Sequence, residues 1–326
     1  MAFGAKRGTR QPVEPGAAAA RATAGPLNRI LGPAGSIRRE KSKFLLIAFI
    51  PVMALFWIIR VIPIMWLLGL SFGNYSLKRV SSVFVGMRNY SRLLSDDQFI
   101  LAIKNTLEFV IISVPVVIIL GMLFALLMNR KLRFEGAYQT FFFLPFIIST
   151  VPAAIIFKWI YAPGTVGLAN YLLTIVGLPR VAWLSNPKIT ILAVIILYVW
   201  KNLGYYVVVF LVGLKNIAQE LREAAQVDGA SLWQATWSIE LPLMRPLILF
   251  GTVYATISAM AVFTVVYVMS QGTDVSAGTQ ITVLATEIYQ EGFVYGNMGY
   301  ASAVAAVLFV ISLLAVLIQF RALNRE

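Results

Sequence analysis

The 326-residue sequence contains no cysteine and no histidine. Disulfides, thiolate or imidazole metal sites, cysteine nucleophiles and histidine general bases are therefore excluded. Charge is scarce too: it makes up 13% of residues, whereas a soluble domain of this size carries about 25%. No G-x-x-x-x-G-K-[ST] phosphate loop occurs, and no Gly-Lys dipeptide either, so the chain cannot cradle ATP in the usual way.

What fills the sequence instead is apolar surface, 59% of residues, with a mean hydropathy of +0.81. A bilayer core of roughly 30 Å needs about 20 apolar residues in a helix. Six stretches qualify, at 44–72, 99–128, 137–160, 189–214, 247–270 and 300–320. They are too long for barrel strands, so the expected fold is an all-α membrane protein of six transmembrane helices. The first run begins only at Phe44 and is too long for a signal-peptide core, so it reads as an uncleaved span. Pro51, Pro63, Pro115, Pro145 and Pro152 fall inside spans, where neighbouring helices or water must replace each lost hydrogen bond. Pro145 and Pro152, with Ser149 and Thr150 between them, mark the third span for a break near a pathway; the alternative is an ordinary proline kink.

The formal charge of +13 is unevenly placed. Residues 1–43 hold nine Lys/Arg against Glu14 and Glu40, in an Ala/Gly/Pro-rich context without aliphatic periodicity. This segment is expected to be a disordered cytoplasmic tail lying near anionic headgroups, not a nucleic-acid binder. Residues 44–326 then form the transmembrane domain. With the N-terminus inside, the inner segments carry seventeen Lys/Arg and the outer ones six. The excess marks the cytoplasmic side. Both termini, and the polar segment 215–246, are therefore expected on the cytoplasmic face of the plasma (cell inner) membrane.

That polar segment has its own local order. Leu221, Ala224 and Ala225 make a small apolar stripe, and Asp228-Gly229 is a turn signal because Gly accepts positive φ. Ser231 with Gln234 is a capping box that starts a second helix, on which Trp233 and Trp237 share a face. Pro242 is expected to stop that helix, and Pro246 to sit in the first turn of the next span. By itself this is an amphipathic helix–turn–helix at the membrane surface.

The residue identities go further. Glu223, Ala224, Ala225, then Asp228, Gly229, Ala230, then Ile239, Leu241, Pro242 and Pro246 resemble the signature loop of binding-protein-dependent ABC import permeases, E-A-A-x-x-D-G-A followed by I-x-L-P. The stretches "PFIISTVPAAIIFKWIYAPGTVGLANYLL" and "TVLATEIYQEGFVYGNMGYASA" resemble the carbohydrate-importing, maltose- and alginate-type branch. The resemblance covers roughly residues 40 to 322. It implies a type I ABC importer permease bundle whose coupling helix docks into a separate ATPase, with Glu223 as the polar anchor. It also implies the partners: a second permease subunit in a heterodimer, two ATP-binding subunits carrying the ATP and Mg, an extracytoplasmic solute-binding protein and a sugar substrate. This chain would bind no cofactor or metal and catalyse no reaction.

Substrate contacts would come from polar and aromatic groups facing a cavity between subunits. The candidates are Tyr198, Trp200, Lys201, Asn202, Tyr205, Tyr206, Tyr254, Thr256, Ser258, Thr264 and Tyr267, since flat rings stack on sugars and hydroxyls or amides bond their groups. Aromatic belts and core packing are the plainer alternative for any one of them. Ionisable residues inside spans are Arg60, Lys104, Glu108, Lys158 and Lys201. Lys104 and Glu108 are spaced to pair on one helix, and Lys158 can snorkel. Lys201, near the middle of the fourth span, and Arg60 bias the interior toward positive, pointing to an acidic oligosaccharide such as an alginate-type oligouronate. Competing readings are a permease for glycerol phosphate or an amino acid and an ion-coupled secondary transporter. A single buried carboxylate and the lack of a visible repeat oppose the last.

Overall fold

The computed structural model describes residues 37–77, 79–130, 134–270 and 281–323. Most of the basic tail lies outside them, and helix already runs through residues 37–43. The chain divides after Trp66 into two units. The first holds α1 (Ile37–Phe56), a π-helical turn (Trp57–Val61) and the start of α2 (Ile62–Ser71). The π turn lies just ahead of Pro63, where a local change of hydrogen-bond register accommodates the missing N–H. Its large side chains, from Phe44 to Trp66, are exposed, as suits a helix solvated by lipid.

In the second unit, the end of α2 is followed by a small antiparallel hairpin, β1 (Gly73–Ser76) and β2 (Arg79–Phe84), that the sequence reading did not anticipate. After α3 (Arg88–Leu93), Asp96 caps α4 (Asp97–Met128) by accepting hydrogen bonds from the backbone N–H groups of Gln98 and Phe99. The third apolar stretch is broken, as the prolines suggested: α5 (Glu135–Ile147) and α6 (Thr150–Ile160) meet at 96°. Pro152 stands in the first turn of α6, where its missing N–H breaks no helical bond. The chain continues through α7 (Leu168–Ile175), α8 (Pro187–Lys215), α9 (Gln219–Val227), α10 (Leu232–Ala235), a π turn (Thr236–Glu240), α11 (Leu241–Met260) and α12 (Thr264–Ser270). Then follow α13 (Leu284–Tyr289), a π turn (Gln290–Val294) and α14 (Met298–Leu323). Among the described residues, five continuous helices are long and apolar enough to cross a membrane, and the bent pair makes six.

Two sequence expectations change here. Pro242 does not stop the loop helix, because α10, the π turn and α11 run on without interruption. In the π turn the Leu241 N–H reaches back to the Thr236 carbonyl, five residues away, so the ladder is already re-registered where the proline arrives. Pro246 consequently lies inside α11 and not in its first turn. In addition, no ion pair joins Lys104 to Glu108 among the described residues. Lys preceding Glu is the weaker order for such pairs, and exposed Lys104 lies near the start of α4, where its stem can carry the ammonium to the interface.

The core forms around α8, packed against α4 and α5, with α11 bridging α4 and α14. Phe109, Val117, Leu197, Val207, Phe210 and Leu214 are fully enclosed there. Without water to expel, helices in lipid associate by close approach, and small residues permit it. Gly121 meets the Tyr206 side chain and Gly251 meets the Phe210 ring. Gly204 is the tightest of these: a Cβ there would lie 2.0 Å from the Phe142 carbonyl oxygen, a backbone atom that cannot swing aside. Gly204→Ala is therefore expected to cost about 1–3 kcal/mol as α8 is pushed off α5. A lowered thermal unfolding midpoint in detergent would check this, and an unchanged midpoint would disprove the contact.

Candidate functional site

The polar segment forms a helical hairpin at the end of the bundle where α4 and α8 terminate. Glu220 stands in the first turn of α9, a favourable place for a carboxylate. The turn comes at Gly229, whose φ of +77° suits a residue without Cβ. The capping box closes as read: Ser231 donates its backbone N–H to Gln234 Oε1 at 2.7 Å, and Gln234 returns its N–H to Ser231 Oγ at 3.3 Å. Ala225 is buried against the body of the protein, whereas Ala224, Asp228 and Gly229 are exposed. Glu223 is exposed and accepts a 2.6 Å bond from Gln219 Nε2, one turn back. Trp233 and Trp237 are 70% and 63% exposed, so the loop offers a wide, unfilled aromatic surface. Leu241 and Pro242 lead into α11, half-buried.

The pathway candidates separate into two sets. Tyr198, Tyr206 and Thr256 are enclosed within the core of this one chain; Thr256 Oγ1 accepts a 2.7 Å bond from Gln319 Nε2. They therefore present no surface to a cavity between subunits. Lys201, Tyr205 and Tyr254 instead come together on a partly open face. Tyr205 stacks on Phe146 at 5.3 Å and lies 5.3 Å from Tyr254, which in turn stacks on Phe250. Lys201 Nζ donates to the Phe146 carbonyl at 3.3 Å and stands 5.7 Å from the centre of its ring. Phe146 belongs to the last turn of α5, so the ammonium sits at the negative end of a half-helix. Asn202 turns back on its own helix, donating to the Tyr198 carbonyl at 2.8 Å. Trp200 packs on Phe157 and is 38% exposed. Ser258 and Thr264 are half-buried, and Tyr267 joins a second ring cluster with Phe263, Tyr289 and Phe293. Phe146, Phe250 and Phe263 were missed in the sequence, because a phenylalanine in an apolar run carries no signal until its neighbour is known, and Tyr289 was missed because it lies outside the apolar spans.

At the opposite end of the bundle, α13 is sewn to α4. Asn105 Nδ2 donates to the Thr282 carbonyl, and the Leu284 N–H donates to Thr106 Oγ1, both at 2.9 Å. Glu287 is buried there near Asp96, Glu291 and Arg92. Asp96 also receives the Tyr300 hydroxyl, and Glu291 receives Asn297 Nδ2 at 2.8 Å.

With this geometry in view, likeness to known proteins is decisive. Residues 117–325 match the family described as binding-protein-dependent transport system inner membrane component. The chain belongs to this family. It is 33% identical over 276 residues to the trehalose/maltose transport system permease protein MalF of Thermococcus litoralis, covering 85% of this chain and 91% of that one. It is 32% identical to the lactose transport system permease protein LacF of Rhizobium radiobacter, covering 83% of this chain and 89% of that one. A solved bacterial alginate ABC transporter, in complex with an alginate pentasaccharide-bound periplasmic protein, contains a similar chain. That match has a TM-score of 0.76 and 28% identity, and covers 88% of this chain and 96% of that one. The permease fold and its place as a multi-pass inner-membrane component follow. The signature loop lies wholly within the matched region.

Outside the spans, burial and then the carboxylates of Glu291 and Asp96 push the Glu287 carboxyl up from its ordinary value near 4.5 to about 7, against the opposing pull of Arg92. The folded permease thus holds this proton more tightly than the unfolded chain. Stability from this group is full below pH 4.5 and declines as pH rises to about 7, then levels off. Glu287→Gln should flatten that decline and stabilise the permease at pH 8 by on the order of 2 kcal/mol. Thermal midpoints at pH 5 and pH 8 check it; parallel curves for both proteins would refute the assignment.

Proposed function

We propose that this permease is one transmembrane subunit of an ATP-driven importer for oligosaccharides, acidic ones in particular. The observation that carries the reading is the exposed helical hairpin at 219–241, a docking piece on a chain that has no phosphate loop of its own. Energy then enters through a separate ATPase, which carries the ATP and Mg. A second permease subunit in a heterodimer, two ATP-binding subunits and an extracytoplasmic solute-binding protein complete the assembly. The excess of Lys/Arg supports a cytoplasmic side for the hairpin and both termini.

Support for a sugar comes from the relatives, named for trehalose/maltose and lactose, and from the neighbour that handles alginate. The partly exposed ring ladder Phe146, Tyr205, Tyr254 and Phe250 suits flat sugar faces. Lys201 lends that ladder a positive charge. One of its three protons is committed to the Phe146 carbonyl, and the others are free to meet a carboxylate. Closure of the ATPase pair would pull the hairpin and tilt the rigid spans about the break at Ile148–Ser149, a hinge-type alternating access.

Two measurements test the reading. Tagged permease should co-purify with an ATPase and a second permease, and uptake into vesicles should require ATP; uptake driven by a proton or sodium gradient alone would overturn it. Lys201→Met should lower uptake of acidic oligosaccharides about tenfold, the loss of one charge-assisted contact, while sparing neutral ones. Equal loss for both would leave Lys201 as the cap of α5 and remove the acidic substrate.

A further inference from the structure

The hairpin must move the spans, not merely touch them, and its chain connections alone cannot ensure this. Short links at residues 216–218 and 228–231 join α9 to its neighbours, and such links allow α9 to pivot without displacing them. A cross-brace removes that freedom. Arg222, on the inner face of α9, donates from Nη2 to the Leu214 carbonyl in the last turn of α8 at 2.6 Å. Its Nε stands 3.0 Å from Glu240 Oε1, in the π turn that opens α11, an ion pair by proximity whose angle falls outside that of a hydrogen bond. Glu240 is held in turn by Thr236 Oγ1, one turn earlier, at 3.1 Å. One guanidinium therefore ties α9 to the ends of both flanking spans.

The environment strengthens the charge attraction. The Glu240 side chain is 11% exposed and that of Arg222 28%, so the pair is partly withdrawn from water and screened less than a surface ion pair. It borders a cavity of about 180 Å³ lined also by Asn129 and Arg130 from the end of α4. A planar guanidinium can hold a carbonyl and a carboxylate at once, which a single ammonium does less well. Glu223, the next residue, points the other way and pairs with Gln219 on the exposed side. The two adjacent charges thus divide the work, one facing out and one facing the spans.

We propose that Arg222 and Glu240 are positioning residues that convert movement of the hairpin into movement of α8 and α11, so that losing either uncouples ATP hydrolysis from transport. This rests on the ABC-importer reading above. The test uses the full complex with its ATPase, partner permease and solute-binding protein in proteoliposomes. Arg222→Met and Glu240→Gln should still co-purify with the ATPase and keep basal hydrolysis. Stimulation by loaded binding protein, and substrate moved per ATP, should each fall about tenfold. The double variant should lose no more than either single one, the mark of two groups acting as a unit. Arg222→Lys should recover part of the stimulation.

Full stimulation in both single variants would overturn the proposal. So would loss of co-purification in both, since the pair would then serve assembly. Additive losses in the double variant would overturn it too. If the unaltered complex showed no ATP-dependent uptake, the importer reading itself would fail, an outcome separate from any of these.

Discussion

The contact on which the remainder depends is the approach of α8 to α5 at Gly204, where the helix meets the Phe142–Phe143 backbone with no side chain between. In lipid there is no hydrophobic drive to press helices together, so dispersion at close range must do it. Gly204 brings α8 onto the half-helix, and from this follows the reach of Lys201 to the Phe146 carbonyl one turn away. The stacking of Tyr205 on Phe146 follows as well. On its other side α8 is seated by Gly121 against Tyr206. A rod seated at its middle and tied to α9 at its end is suited to carry displacement from one surface to the other.

The break between α5 and α6 would leave helix-end carbonyls without partners in a medium that offers none. Lys201 supplies one such partner, so its charge has a structural reason to exist apart from any cargo. The two roles are compatible, because an ammonium has three protons. They also give the site a natural asymmetry: the cation is held from the protein side by a dipole and left open on the other.

Much of this was legible beforehand, and the parts that were not share a cause. The hairpin could be read because its determinants are local: Gly229 for positive φ, Ser231 and Gln234 for the cap, alanines for close seating. The break in the third span was marked by Pro145, Ser149, Thr150 and Pro152 for the same reason. The π turn at Thr236–Glu240 defeated the rule that Pro242 ends a helix, since a change of ladder register leaves no trace in hydrophobic periodicity. The hairpin of β1 and β2 escaped notice because two short strands acquire their stability from packing, here against α14, where Gly299 admits the Gly73 carbonyl. Among the pathway candidates, residue type separated nothing. Tyr205 and enclosed Tyr206 are adjacent and identical, and only the neighbouring helices decide which of them sees an opening.

The π turn also fixes which way Trp233 looks. Such a turn contains one residue more than an α turn, so everything before it is rotated by roughly 100° about the helix axis relative to an unbroken helix. Trp233 lies ahead of that insertion and α11 behind it. The azimuth of the Trp233 ring is thus geared to the span by a single extra residue, and shortening the turn by one would swing that ring around the axis.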